Sequence, residues 1–168
     1  LVRIQQVLVS ADPFMCIQYA RNFVYGKVYN ARWVLERAAR DHAMRLDVEK
    51  VKRASAQLVA RLPEILHCTE GETLRGLEGA AADQYFGVLD ELVLQNKDTF
   101  AFHGRSRRPP LDPINALLSF AYTLLANDCV AALQAVGLDP YVGFLHRERP
   151  GRTSLALDLM EELRAVFA

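Results

Sequence analysis

The sequence predicts an all-α protein, and three observations carry that expectation. Apolar residues recur at the three- and four-residue spacing of a helix face along almost the whole chain. Asp-Pro pairs and glycines stand at the ends of those stretches, where caps and breakers belong. No run alternates apolar and polar residues for the length of a useful strand. Internal repeats and low-complexity segments are absent, and 168 residues suit one compact domain spanning 1–168, built from about five helices.

Asp12-Pro13 opens the first predicted helix, which runs to about Asp41. Asp12 offers a cap, and Pro13 takes the first helical position, where a missing N–H costs nothing. Phe14, Ile17, Ala20, Val24, Val28, Ala31, Val34, Leu35 and Ala38 make its apolar stripe. Gly26 inside it costs roughly 1 kcal/mol relative to alanine. A close approach by another element would explain it, and so would a plain weak spot. The second predicted helix runs from about Asp47 to Leu62. The third begins at Thr69, with Glu72 completing a capping box, and runs to about Leu94. Asn96 to Pro110 reads as a loop. Asp112-Pro113 opens the fourth helix and Gly137 closes it. Ile114 to Leu138 is so uniformly apolar that burial on most sides is expected. Pro140, Gly143, Pro150 and Gly151 break the segment from Asp139 to Thr153, and Ser154 caps a last helix.

Composition excludes several classes. Net charge is zero, so a nucleic-acid partner must be argued from local patches rather than overall charge. Cys16, Cys68 and Cys129 are scattered and odd in number, which indicates neither a zinc ribbon nor a disulfide framework and suits a reducing, cytoplasmic setting. No apolar run is expected to reach the roughly 18 residues that span a membrane. The chain starts at Leu1 and stops at Ala168 within an apolar pattern, so a piece of a longer protein is expected. Leu163, Val166 and Phe167, with the apolar third and fourth helices, predict self-association.

Three distant segments carry ligand-type side chains in apolar surroundings. On the third helix, Glu78 shares the stripe of Leu74, Leu77, Ala81, Tyr85, Val88 and Leu92. A carboxylate facing a core is costly unless paired or metal-bound. Pairing with an arginine such as Arg75 and ligation of a metal both remain open. Gly76, Gly79 and Ala80 to Ala82 keep its surroundings small, so that another chain or a phosphate could approach. His146 lies in a loop with Arg147, Arg149 and Arg152 nearby; it reads as a polar loop residue or as an imidazole ligand. His42, His67 and His103 read as surface or loop residues. On the last helix, Asp158, Glu161 and Glu162 fall opposite the face of Leu155, Ala156, Leu159, Met160, Leu163 and Val166. They make either a solvated acidic face or, with Glu78 and His146, a Mg²⁺ or Mn²⁺ site. Arg105, Arg107 and Arg108 in one loop, and Arg147, Arg149 and Arg152 in the other, have the geometry for phosphate; each loop alone would also serve as solvated surface.

The residues also resemble a known family. Arg21 to Asn30, with Gly26-Lys27 and Asn30, is similar to the "vxGKxxN" helix of the CRISPR-associated adaptation integrases of the Cas-one family. Gly76 to Phe86 resembles their "GxEGxAAxxYF" segment, and Arg107 to Tyr122 their "RRPPxDPxNALLSFxY" segment. His146 and Ser154 to Arg164 complete a likeness that covers nearly the whole chain in order. It implies a helical catalytic domain that follows a small β domain not present here. It implies a homodimer that pairs with the smaller Cas-two protein and inserts captured DNA into a CRISPR array. By position it makes Glu78, His146 and Glu161 the metal ligands, with Mg²⁺ or Mn²⁺ as the cofactor, and makes Asp158 a carboxylate near the site. Which of Asp158 and Glu161 ligates directly stays open. The implied chemistry is attack of a DNA 3′-hydroxyl on a phosphodiester, or hydrolysis when water attacks. Two other readings stand beside it: an all-α hydrolase of a small phosphorylated substrate, which needs an enclosed pocket, and a non-catalytic scaffold.

Overall fold

A computed structural model describes residues 1–146 and 149–167. Those residues form six α-helices and no strand: α1 (Val2–Ala11), α2 (Pro13–Asp41), α3 (Val48–His67), α4 (Gly71–Phe86), α5 (Pro113–Ala135) and α6 (Ser154–Phe167). A short 3₁₀ turn, Leu89–Leu92, follows α4.

The caps act where local chemistry places them. The Asp12 carboxylate accepts from the amides of Phe14 and Met15, Asp47 from Lys50, and Asp112 from Asn115. At the far end of α5, Gly137 takes φ +82°, which a side chain would resist. Its amide bonds to Gln134 O and that of Leu138 to Leu133 O, the two bonds of a Schellman ending.

Four boundary expectations change. The additional helix is α1. The helix expected to stop at Leu62 continues through Pro63 to His67; Pro63 forfeits one backbone bond, but Ile65 beyond it is fully buried and holds the last turn. Thr69 lies outside α4, whose cap residue is Glu70, and no side chain caps it, so the capping box with Glu72 does not form. That helix ends at Phe86 rather than near Leu94. Gly87 and the 3₁₀ turn redirect the chain so that Val88 is buried and Leu89 packs partly into both cores.

The largest departure is α5. It buries one face, with Leu118, Tyr122, Leu125, Cys129 and Leu133, and exposes Leu117 (54%), Phe120 (64%) and Leu124 (45%). An all-round apolar helix states that partners exist, not that the same chain supplies them. Against expectation, α5 also contains an 18-residue window, mean hydropathy 1.5, that could cross a membrane by length and composition alone.

Two apolar cores result. One joins α2, α3 and α4 through Val24, Val28, Leu35, Val51, Leu58 and Leu74. The other joins α5 and α6 through Leu118, Tyr122, Leu125, Leu155 and Met160. The helices α2 and α6 meet along the seam between them. Gly26 permits that meeting, since a Cβ there would stand 2.9 Å from Glu162 Cγ. A close approach, rather than a weak spot, therefore accounts for this glycine. One turn on, Asn30 Nδ2 donates to Glu162 O at 2.8 Å.

Candidate metal centre

The acidic side of α6 turns inward. Asp158 is completely buried and Glu161 is 3% exposed, while Val166 is 65% exposed. Of the two readings of this face, the solvated one does not hold for Asp158 and Glu161, while Glu162 is only partly buried. Because α6 lies in the seam between the two cores, its apolar residues and its carboxylates both have to be buried there. Burial of the carboxylates is tolerated only because each has partners.

Asp158 is satisfied by the loop that carries His146. Its Oδ2 accepts from the amides of Phe144 (2.6 Å) and Leu145 (3.0 Å). Its Oδ1 accepts from the His146 amide (2.9 Å) and lies 2.7 Å from His146 Nδ1. An ionised Asp158 can only accept, so Nδ1 is the protonated nitrogen and Nε2 presents a lone pair in the neutral ring. This carboxylate–imidazole pairing is the arrangement that orients a metal-ligating histidine. With its bonds spent in this way, Asp158 ties the His146 loop to α6, and Glu161 is the carboxylate left facing the seam.

The rest of the loop is held from several sides. Gln6 of α1 is buried and bonds Asp139 O (2.7 Å), Val142 O (2.9 Å) and the Asp139 amide (2.8 Å). Ser10 Oγ donates to Gly143 O, Cys16 Sγ to Phe144 O and Arg75 Nη1 to Leu145 O. Tyr19 stacks on Phe144 with ring centroids 5.0 Å apart. A Cβ at Gly143 would meet Ser154 Cβ at 2.7 Å, Ser154 C at 2.9 Å and Asp158 Oδ2 at 3.0 Å. Two of these neighbours belong to the start of α6 and cannot swing aside. Gly143→Ala is therefore expected to lift the loop from Asp158 and cost about 1–3 kcal/mol of stability, the range for overpacking. Thermal unfolding checks this; an unchanged melting temperature would contradict it.

The two remaining carboxylates share a cation from the chain itself. Lys27 Nζ ion-pairs with Glu78 Oε1 and lies 2.7 Å from Glu161 Oε2. The expected partner of Glu78, Arg75, instead pairs with Glu72. Glu161 also receives Arg164 Nη2 on Oε1 at 3.0 Å, and His146 Nε2 lies 3.9 Å from that oxygen. Burial alone would raise the Glu161 pKa, but Lys27, Arg164 and His146 outweigh it and leave the carboxyl below its usual value. Arg164 lies over the Tyr122 ring at 5.0 Å, and Arg105 approaches the same ring at 5.7 Å.

Two carboxylates and an imidazole nitrogen are a donor set suited to Mg²⁺ or Mn²⁺. One observation supports the fit. The buried Oε2 of Glu161 accepts no well-formed hydrogen bond, although Lys27 stands beside it. As the side chains stand, no three His, Cys, Asp or Glu residues among those described are gathered closely enough to ligate one ion. Lys27 takes the position between Glu78 and Glu161.

The arginine loops differ in detail. Arg107, Arg108 and Arg149 are exposed, Arg152 is partly exposed, and Arg147 lies outside the described residues. Arg105 is turned inward, with Nη1 bonded to Ser106 O (2.7 Å) and Asn115 Oδ1 (2.6 Å). Asn115 is fully buried and also takes the Ser106 amide and donates to Gly104 O and Asp112 Oδ2, which fixes the loop ahead of α5. Lys27, Arg164, Asn115 and Gln6 are the site-building residues that the sequence did not single out for a role. Lys27, Asn115 and Arg164 all stand inside motifs that the sequence displays; Gln6 carried no distinguishing signal.

The family model described as "CRISPR associated protein Cas1" matches residues 1–168. A CRISPR-associated endonuclease Cas1 of Chlorobaculum tepidum is 52% identical over 98% of this chain and 48% of its own length. One from Leptospira interrogans is 50% identical over 98% of this chain and 65% of its own length. The chain thus spans less than two thirds of either relative. Among solved structures, a partial Cas6-RT-Cas1–Cas2 complex superposes with a TM-score of 0.85 at 28% identity, covering 98% of this chain and 47% of that one. A casposase bound to its integration product gives 0.81 at 26% identity, covering 98% and 44%.

Proposed function

This chain belongs to the CRISPR-associated Cas1 family, and from that premise we propose that it carries the helical catalytic part of a divalent-metal-dependent DNA endonuclease and integrase that joins captured DNA fragments to a CRISPR array. The observation that carries this reading is the meeting of Glu78, Glu161 and the oriented His146 ring at one seam, where Glu78 and Glu161 share a single positive charge. The same site cleaves DNA when water replaces the 3′-hydroxyl as nucleophile.

Each residue has a definable task. Glu78, Glu161 and His146 Nε2 would hold Mg²⁺ or Mn²⁺. A bound divalent ion would polarise the scissile phosphate and neutralise charge developing on the attacking and leaving oxygens. Asp158 keeps Nδ1 protonated and the ring turned toward Glu161. Arg164 holds the other Glu161 oxygen and is steadied against Tyr122. Arg107, Arg108, Arg149 and Arg152, with Arg105 behind them and Arg147 completing the set, would hold backbone phosphates and position the duplex without reading its sequence.

Partners follow in the same proposal. One of the solved neighbours is a complex of Cas1 with Cas2 and another is bound to an integration product. We extend DNA and a Cas2 protein to this chain on that basis. A homodimer is supported by the open apolar groove of about 480 Å³ that Leu117 and Phe120 of α5 form with Leu89, Leu92, Phe100 and Phe167. A prokaryotic cytoplasm is the proposed setting, in keeping with three free thiols. The small-substrate hydrolase is disfavoured: the cavity bounded by Lys27, Tyr122 and Arg164 has room for roughly one water, about 30 Å³, and the larger cleft of about 370 Å³ beside His146 is open to solvent rather than enclosed.

The deciding experiment incubates the full-length protein with branched and duplex DNA in Mn²⁺, with and without a chelator, beside small phosphomonoesters. Cleavage and joining of DNA that chelation abolishes supports the proposal. Turnover confined to the small esters would replace it. Changing Arg107 and Arg108 together to Ala is expected to weaken DNA binding and lower the log–log salt slope by about 2, one unit for each lost phosphate contact. An unchanged slope would remove this loop from the interface.

A further inference from the structure

The position of Lys27 has a consequence for metal binding that rests on the proposed metal reading. Lys27 projects from α2 into the seam, its side chain 12% exposed, with its ammonium between Glu78 on α4 and Glu161 on α6. Without a cation there, two carboxylates on packed helices would face each other across a poorly solvated gap, at a considerable electrostatic cost. A divalent ion ligated by the same oxygens needs the same place. Both cannot occupy it, because Glu161 already carries Arg164 at 3.0 Å and has His146 beside it. Adding two more positive charges to the lysine already there would leave the cluster strongly cationic.

We propose that Lys27 is the resident counter-ion of the Glu78–Glu161 pair, that it is displaced when the divalent ion enters, and that this competition sets how tightly the metal is held. The geometry supplies the means. The lysine stem is long and flexible, and its ammonium is a point charge with no fixed fork to disassemble. Glu78 is itself reachable from solvent, its side chain 26% exposed. Lys27 is thus a positioning residue. It holds α2, α4 and α6 together through their charges before the metal arrives. The same arrangement accounts for the absence, among the described residues, of any ready-gathered metal cluster.

The test uses the full-length protein and Mn²⁺ alone. Lys27→Met keeps the stem and removes the charge. It is expected to bind Mn²⁺ at least about tenfold more tightly by calorimetric titration, since a competing charge at contact distance is gone. Its metal-free melting temperature is expected to fall, and its rise on adding Mn²⁺ to exceed that of the wild type. Lys27→Arg, which keeps the charge, is expected to bind Mn²⁺ no more tightly than the wild type. A variant that merely loosened the fold would bind metal less well, not better. Should Lys27→Met fail to fold without metal, the wild type still decides the matter. Lys27 is expected to resist an amine-acylating reagent in the metal-free protein and to react once Mn²⁺ is bound. Mn²⁺ binding by the wild type, with Lys27→Met no tighter or Lys27 equally reactive in both states, overturns the exchange and leaves the metal centre standing. No Mn²⁺ binding by the wild type overturns both.

Discussion

Glu161→Ala is expected to abolish metal-dependent DNA cleavage and joining by the full-length protein while leaving its helical fold in place. Glu161 is in ionic contact with both Lys27 and Arg164, and His146 Nε2 lies 3.9 Å from it. Its loss removes a ligand and also the charge that draws the other cationic groups inward. Metal affinity should fall by more than the roughly 10–100-fold that losing an outer-sphere partner costs. Stability should fall by less than the 3–5 kcal/mol or so of a broken buried ion pair, because the two cations are not stranded. Lys27 keeps Glu78, and Arg164 keeps the Tyr122 ring. Mn²⁺ titration, circular dichroism and a DNA cleavage assay check the three parts. Full activity in Glu161→Ala would remove this residue from the centre and reopen the choice between it and Asp158.

Asp158→Asn is expected to have the opposite balance, with the larger effect on the fold. The carboxylate is fully buried and serves three backbone amides and one ring nitrogen. An amide of the same shape has only one acceptor oxygen, and its NH₂ must point at donors that already carry hydrogens. The cost is about 3–5 kcal/mol, combining a lost buried charge with unsatisfied amides. The chemistry also suffers, because the NH₂ can drive His146 into the other tautomer and turn the proton toward Glu161. Melting should drop well below that of Glu161→Ala, with activity lost in both. Wild-type melting in Asp158→Asn would show that the loop amides do not depend on this carboxylate.

The contrast between these two variants separates roles that the sequence presents as equal. Asp158 and Glu161 lie three residues apart on one helix face and have the same chemistry. What distinguishes them is the chain that meets each one: a loop of free amides against Asp158, and Lys27, from a helix more than 130 residues earlier, against Glu161.

Local interactions were legible in the residues themselves. Asp12 and Asp112 cap the helices they precede, and Gly137 ends α5 with the expected left-handed turn, because each of these acts on amides or carbonyls within a few residues. The all-α class follows from the same short-range periodicity. The family likeness, which rests on segments such as Gly76 to Phe86, was likewise a property of the sequence alone, and so were the candidate ligands Glu78, His146 and Glu161.

The tertiary structure decided the rest. The acidic face of α6 would be the solvated side of an isolated amphipathic helix; it points inward because α2 and the His146 loop bring a lysine and three amides to it. The apolar ring of α5 suggests burial on all sides; one face is exposed because α6 and the loops cover only the other. Lys27 entered no expectation about the centre, since its role exists only when α2, α4 and α6 converge. The physical reason is common to all three. Helix formation is settled over about four residues, whereas the cost of burying a charge or an apolar face depends on partners that are distant in the chain and close in space.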